Sequence, residues 1–275
     1  LLGWRALPII WIAAYIVLSI VALRAGRADS LMYAQSALLA AGNTLEAATG
    51  ALLVSLLRIN PRLSSFRNVL LYLLTCAVLA PLVSATIGAG TLLWLARTRL
   101  PPVEVLWTHW WVANALGVAT LGSALITCVS GRMWSRLTTP RALEAITALA
   151  LLLLASSVAF LGTHSPAAEF ALVYLPLPAI LWAAVRLSPC GAGWSSTILA
   201  ATAVLGAVLQ RGPFSDAAQG GPPELMFALF LAVVTITALL IAGLVTERET
   251  ALRLVTDREE RYRTLASATN DAVYD

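Results

Sequence analysis

The sequence has no lysine, and it has few charged residues of any kind. All 18 basic residues are arginines, and charged residues make up only 12% of the 275-residue chain. Soluble domains carry about 25% charged residues, so this composition excludes an ordinary soluble domain. Hydrophobic residues make up 59% and the mean hydropathy is +0.83, which indicates an integral membrane protein. The net charge of +4 is modest and the arginines flank apolar runs, so we predict no nucleic-acid partner.

Residues that commonly carry metal, redox or catalytic chemistry are also scarce. Cys76, Cys128 and Cys190 lie far apart, without the short spacings of metal sites, and no disulfide framework can be read from them. We expect all three to be small buried hydrophobic residues. No zinc-protease, nucleophile-elbow or phosphate-binding motif is present. The sequence therefore predicts no metal site, no cofactor and no catalytic residue within these 275 residues.

Apolar runs long enough to cross a membrane fill most of the chain. A spanning helix needs about 20 apolar residues, and the runs predict an all-α polytopic transmembrane helix bundle of about eight spans. The third run contains Pro81 and is expected to form one long helix bent at the proline. The sixth run is interrupted by Pro176 and Pro178. The predicted spans are Trp4–Leu23, Leu31–Leu57, Phe66–Ala96, Glu104–Ser130, Ala142–Leu161, Ala168–Leu187, Ala192–Gln210 and Glu224–Thr246.

The placement of the arginines predicts how the chain is oriented. If the charged stretch after Thr246 is cytoplasmic and the chain crosses eight times, thirteen arginines fall on the cytoplasmic side and five outside. The excess follows the positive-inside rule and favours a cytoplasmic C-terminal tail. The outer five are Arg24, Arg27, Arg97, Arg99 and Arg211.

The tail from Glu247 to Ala266 is mixed in charge and helix-prone. Leu252, Val255 and Tyr262 recur at a spacing typical of a coiled-coil seam. We predict that this stretch is a signalling helix, and that it and the last span hold two copies of the chain together as a homodimer. The three residues would relay a signal along it. The alternative is a single amphipathic linker helix that packs on its own downstream domain.

Glu46 is an acidic residue near the middle of the second span. A carboxylate at membrane depth is costly, so it is expected to face the bundle interior with a partner. Asn43 lies three residues earlier on the same helical face, and Gly50 continues that face. This pattern predicts either a ligand- or proton-responsive site or a purely structural hydrogen bond between helices.

Two further groups of residues are candidates for signal sensing. Trp111 and Asn114 descend from the outer end of the fourth span, and Asn114 lies deeper than an aromatic interfacial belt explains. Trp182 and Arg186 follow the interrupted part of the sixth span. A proline-interrupted span can border a cavity, or it can be a simple kink. Arg186 can extend to the lipid headgroups or pair with a carboxylate of a neighbouring helix.

Several of these segments, in this order, resemble the membrane-associated sensor domain of the MASE family, type one. The likeness covers roughly residues 1 to 245, and Asn114 stands where that family often has aspartate. Residues 259–275 resemble the start of a PAS domain. The resemblance implies a dimeric receptor of the bacterial inner membrane, whose output is typically a histidine kinase or a diguanylate cyclase. The segments that carry it are residues 42–47 (GNTLEA), 110–117 (WWVANALG), 178–186 (PAILWAAVR) and 211–214 (RGPF).

Together these observations predict three parts. Residues 1–246 form an integral-membrane sensor domain, residues 247–266 a signalling helix, and residues 267–275 the start of a PAS domain. The leading hypothesis is the sensory-input region of a bacterial sensor histidine kinase, with the lipid bilayer, a second copy of the chain, and a small molecule or membrane protein as partners. The alternatives are the sensor region of a diguanylate cyclase or phosphodiesterase, a transporter-like protein, and a structural membrane anchor.

Overall fold

The computed structural model describes residues 4–27, 29–95, 101–131, 139–215 and 222–274. Helices make up the fold and no strand occurs in these ranges, so the predicted all-α bundle is confirmed. Arg97, Arg99, Arg132 and Arg136, which entered the orientation argument, lie outside the described residues. The helices are α1 (Leu7–Arg24), α2 (Ser30–Leu56), α3 (Phe66–Tyr72), α4 (Ala80–Leu95), α5 (Val103–Gly117), α6 (Ser123–Gly131), α7 (Thr139–Leu161), α8 (Pro166–Leu172), α9 (Leu177–Arg186), α10 (Ser188–Val208) and α11 (Pro222–Tyr274).

Local sequence explains where several helices begin. The Asp29 side chain accepts a hydrogen bond from the Met32 amide at 3.1 Å and caps α2, and Ser65 caps α3 in the same way. Capping satisfies backbone donors that a helix leaves unpaired in its first turn. Proline occupies the first turn of α1, α8, α9 and α10, where its missing N–H costs nothing.

The third span is a single helix from Phe66 to Leu95, as the sequence predicted, but its irregularity is a π-helical stretch. Residues Leu73–Leu79, just before Pro81, are π-helical, and the amide of Ala80 donates to the carbonyl of Thr75 five residues earlier. Because proline has no N–H, a wider turn ahead of it is one way to continue the helix. A second π stretch, Val118–Gly122, joins α5 to α6 within one span.

The predicted sixth span, Ala168–Leu187, is not one long continuous helix. Seven helices in the described ranges are long and apolar enough to cross a membrane, and the predicted sixth span is not among them. It consists instead of the short helices α8 and α9, separated by turns at residues 173–176. Pro176 and Pro178 lack the N–H groups that a continuous helix needs here.

Hydrogen bonds between distant segments show which helix ends lie together. Arg62 Nε donates to the carbonyl of Ser130 at 3.1 Å, and the amide of Phe66 donates to Glu247 Oε2 at 2.9 Å. Arg186 lies beside Glu144, near the start of α7. We call the end of the bundle that contains these three contacts the tail end. Arg211 bonds the carbonyl of Leu161 at the opposite end, so α8 and α9 together run from that end back to the tail end.

The cysteine prediction is correct only for Cys76, which is buried and free. Cys128 in α6 and Cys190 in α10 form a disulfide, with their Cα atoms 5.4 Å apart. This separation is common for disulfides. Spacing along the chain could not show the pairing, because packing of α6 against α10 brings together residues 62 positions apart.

Candidate functional site

Three polar side chains from three different helices meet in the interior of the bundle. Glu46 of α2 is only 8% exposed. Asn114 of α5 donates from Nδ2 to Glu46 Oε2 at 2.9 Å and to Ser84 Oγ at 2.7 Å. The hydroxyl of Ser84, in α4, donates to the same Glu46 oxygen. We call Glu46, Ser84 and Asn114 the polar triad.

Gly42 on α2 allows close packing of α2 against α4 near Glu46 and Ser84. A Cβ atom at Gly42 would lie only 3.1 Å from Ile87 Cγ2, whereas one at Gly50 would lie at an ordinary contact distance, 3.8 Å from Ala80 Cβ. Both glycines share the face that carries Glu46, so α2 and α4 approach closely along it. The sequence pattern around Glu46 therefore has a packing role as well as a polar one.

A cavity of about 400 Å³ adjoins the triad along α2. Asn43 and Glu46 line it, and the Oδ1 atom of Asn43 is buried without a hydrogen-bond partner. Both donors to Glu46 bind Oε2, and no hydrogen bond from the described part of the chain reaches Oε1. The volume lies within the usual range for small-molecule sites. The remaining lining residues are Ala47, Gly50, Ala51, Val54, Pro61, Cys76, Ala80, Val118 and Ile126.

Trp111 lies on the same helix as Asn114, but it contacts the π-helical stretch Leu73–Leu79 and not the polar triad. Its indole N–H donates to the carbonyl of Val78 at 3.0 Å, within the first π stretch. Its ring stacks on that of Trp107, with centroids 6.0 Å apart. Trp111 is not among the described residues that line the cavity. Its hydrogen bond to Val78 instead holds α5 against the π stretch.

Trp182 and Arg186 form a separate cluster at the tail end. Arg186 donates from Nε and from a terminal nitrogen to the two carboxylate oxygens of Glu144, at 2.6 and 3.2 Å. The indole of Trp182 donates to the same carboxylate at 3.3 Å. The structure thus pairs Arg186 with a carboxylate of a neighbouring helix, one of the two alternatives from the sequence. It does not bring Trp182 and Arg186 to the polar triad.

Sequence reasoning missed Ser84 and Glu144. Serine occurs throughout the chain, and the only signal at Ser84 is its position one turn after Pro81, whose carbonyl lies 3.1 Å from Ser84 Oγ. Glu144 lies in the first turns of a span, where a carboxylate is expected to reach the headgroups. Nothing along the chain shows that Arg186, 42 residues later, lies beside it.

The tail helix is hydrogen-bonded to the bundle at the point where the helix emerges from it. Glu247 accepts the hydrogen bond from the amide of Phe66, the first residue of α3. Gly243, one turn earlier, lies so close to α3 that a Cβ atom there would be 2.8 Å from Val69 Cγ2. Beyond this point the three predicted relay residues are exposed: Leu252, Val255 and Tyr262.

These features define a polytopic helical membrane protein with a polar site at its interior and a long helix projecting from one end. The chain belongs to the MASE1 family, whose model matches residues 1–249. MASE1 is a membrane sensory domain found in bacterial signalling proteins. Comparison with curated proteins found no match, and neither did comparison with solved structures.

Proposed function

We propose that this chain is the sensory-input region of a bacterial receptor, and that α11 carries its signal to a PAS domain and a histidine kinase. The observation that supports this most directly is that the last span and the charged tail form one continuous helix, Pro222–Tyr274. A diguanylate cyclase as the output is the alternative that the MASE1 family leaves open. Either output would need only a change in the position or register of α11.

We place the receptor in the inner membrane with its tail in the cytoplasm. The positive-inside rule supports this orientation. Described arginines gather at the tail end, whereas those at the opposite end are Arg24, Arg27 and Arg211. The tail-end group is Arg5, Arg58, Arg62, Arg67, Arg141 and Arg186.

The proposed route of the signal is the third span, Phe66–Leu95. Ser84 near its outer part binds Glu46, and the amide of Phe66 at its inner end binds Glu247 of the tail. A ligand that favours one arrangement of the polar triad would move this span, and the span would change the contact with Glu247. Only differential binding to two arrangements is needed.

A second copy of the chain is the proposed partner of the tail. Leu252, Val255 and Tyr262 are 58%, 62% and 73% exposed, and they repeat at coiled-coil spacing. A parallel pair of tail helices would bury these side chains against one another. Glu259 falls on the same seam between Val255 and Tyr262 and interrupts it, whereas the other polar residues between them would remain in water.

The relay is tested by the output rate of the full receptor, measured as autophosphorylation. Glu247→Ala removes the acceptor for the Phe66 amide, and we expect it to change the basal rate by about threefold, the factor that about 0.6 kcal/mol gives. Phe66→Pro removes the donor at a position where proline fits a helix start. It should have the same effect and add nothing to Glu247→Ala.

The matched control is Glu247→Gln, which keeps an acceptor oxygen and should keep the basal rate. Phe66→Leu controls for loss of the phenyl ring. A Glu247→Ala receptor whose basal rate and stimulus response both equal those of the unmodified protein would contradict the relay.

A further inference from the structure

We propose that the cavity beside Glu46 binds a protonated amine with an apolar body. The inference rests on the proposed sensory function and adds the chemical class of the stimulus. Two observations carry it: Glu46 lines the cavity with one carboxylate oxygen that receives no hydrogen bond from the described residues, and the lining apart from Glu46 and Asn43 is largely apolar.

The charge of the ligand follows from the hydrogen bonds of Glu46. Ser84 and Asn114 both donate to Oε2, and Oε1 receives no donor from the described residues. In the same part of the chain, no arginine forms an ion pair with Glu46. A buried carboxylate without a counter-charge is costly, and an ammonium group at Oε1 would supply both the missing donor and the opposite charge.

Asn43 is the other residue of the cavity lining with a polar side-chain amide. Asn43 lies one helical turn before Glu46, and its Oδ1 is buried without a partner. A primary ammonium group has three donors. One of these donors can bond Glu46 Oε1, whereas a bond to Asn43 Oδ1 would require this amide to turn toward the cavity, because its oxygen is buried in the structure.

The shape and lining of the cavity determine the length and polarity of the ligand body. From Asn43 the lining follows α2 to Val54 and reaches Pro61 at the tail end. Eleven residues of helix rise about 16 Å. Alanine, valine and isoleucine line this part, so the ligand body is apolar and elongated. The cavity of about 400 Å³ accommodates a chain of several carbons.

The test uses the full-length receptor in dodecyl maltoside, a neutral detergent without amines. Butyl-, hexyl- and octylammonium are each compared with the alcohol of equal length in thermal-unfolding titrations, since a ligand raises stability in proportion to its occupancy. We expect each amine to bind about tenfold to a hundredfold more tightly than its alcohol, the range for a hydrogen bond to a charged group.

Glu46→Gln keeps the size of the side chain and should abolish the preference for amines. Glu169→Gln is the matched control, because Glu169 lies in α8 outside this cavity lining, and it should keep the preference. Val54→Trp fills the apolar end of the cavity and should weaken octylammonium binding while leaving butylammonium unchanged.

Equal affinity for amines and alcohols would overturn the inference, as would a Glu46→Gln receptor that binds amines normally. The proposed relay and the proposed ligand class can be contradicted independently of each other. If octylammonium binds through Glu46 but leaves the output rate unchanged, the ligand class stands and the relay falls. If Glu247→Ala changes the output while no amine binds, the relay stands and the ligand class falls.

Discussion

At the scale of single residues, the amide of Asn114 decides how Glu46 is held. Its Nδ2 atom has two hydrogens, which reach Glu46 Oε2 and Ser84 Oγ. An aspartate at this position would bring a second carboxyl group to the same place, where two negative charges repel each other. In this chain, residue 114 is therefore a donor that fixes the carboxylate, and Glu46 is left as the acidic group of the triad.

Replacing Asn114 by leucine should lower the stability of the protein. The change removes both donated hydrogen bonds, and bonds of this kind between membrane helices contribute about 0.6 to 1.7 kcal/mol each. We expect a lower midpoint of thermal unfolding in detergent. Thr108→Val on the same helix is the control, because Thr108 is exposed and its hydroxyl donates to the carbonyl of Glu104 within its own helix. An unchanged midpoint for Asn114→Leu would show that the triad adds no stability.

At the scale of helices, the packing of α10 against α6 depends on a glycine. A Cβ atom at Gly193 would lie 2.7 Å from both the Cα and the nitrogen of Ala124. These are backbone atoms, which cannot move aside as a side chain can. The same pair of helices carries the Cys128–Cys190 disulfide, so both features depend on one close approach.

Gly193→Ala should therefore destabilise the bundle by about 1–3 kcal/mol, as overpacking of a filled core does. Gly90→Ala is the matched control. Gly90 also lies within a helix, but a Cβ atom there would meet nothing within 4 Å. The control should be neutral or slightly stabilising, because alanine favours helix over glycine. Denaturant titration of the two variants in mild detergent distinguishes them, and equal midpoints would contradict the close approach.

At the scale of the whole molecule, the direction of the α8–α9 segment fixes the orientation of everything after it. The segment runs from the end of α7 to the start of α7, where Arg186 meets Glu144. The chain thus traverses the bundle eight times over its described length, with seven long helices and one interrupted segment. This places residues 60 and 188 at the end where the tail leaves.

Cysteines introduced singly into a cysteine-free background should show this arrangement. We expect Asn60→Cys and Ser188→Cys to react with a membrane-impermeant maleimide only in inside-out vesicles, and His164→Cys only in right-side-out vesicles. The background also removes Cys128 and Cys190, which form a disulfide near the tail end. A disulfide there would be unusual if the tail end faces the reducing cytoplasm. Labelling of positions 164 and 188 from the same side would contradict the crossing by α8 and α9.

The spans that the sequence predicted best are those with unbroken apolar runs. The third span was predicted as one helix in spite of Pro81, because it is too short for two crossings and a turn, and the structure has one helix there. The π stretches were not predicted, because a π turn leaves no change in apolar content. Glu46 and Asn114 were both singled out as polar residues inside apolar spans, and the structure joins them.

The sequence alone determined that this is a polytopic helical membrane protein, and that its last span continues as a charged helix. The spans are helical because lipid requires every backbone polar group to be satisfied within a segment. The tail can continue the last helix because no proline or glycine interrupts residues 246–274. Only the tertiary structure decided which polar groups meet. Ser84 joins Glu46, Glu144 joins Arg186, Cys128 joins Cys190 and Phe66 joins Glu247. These pairs depend on the angles and depths at which helices cross, and no single helix carries that information.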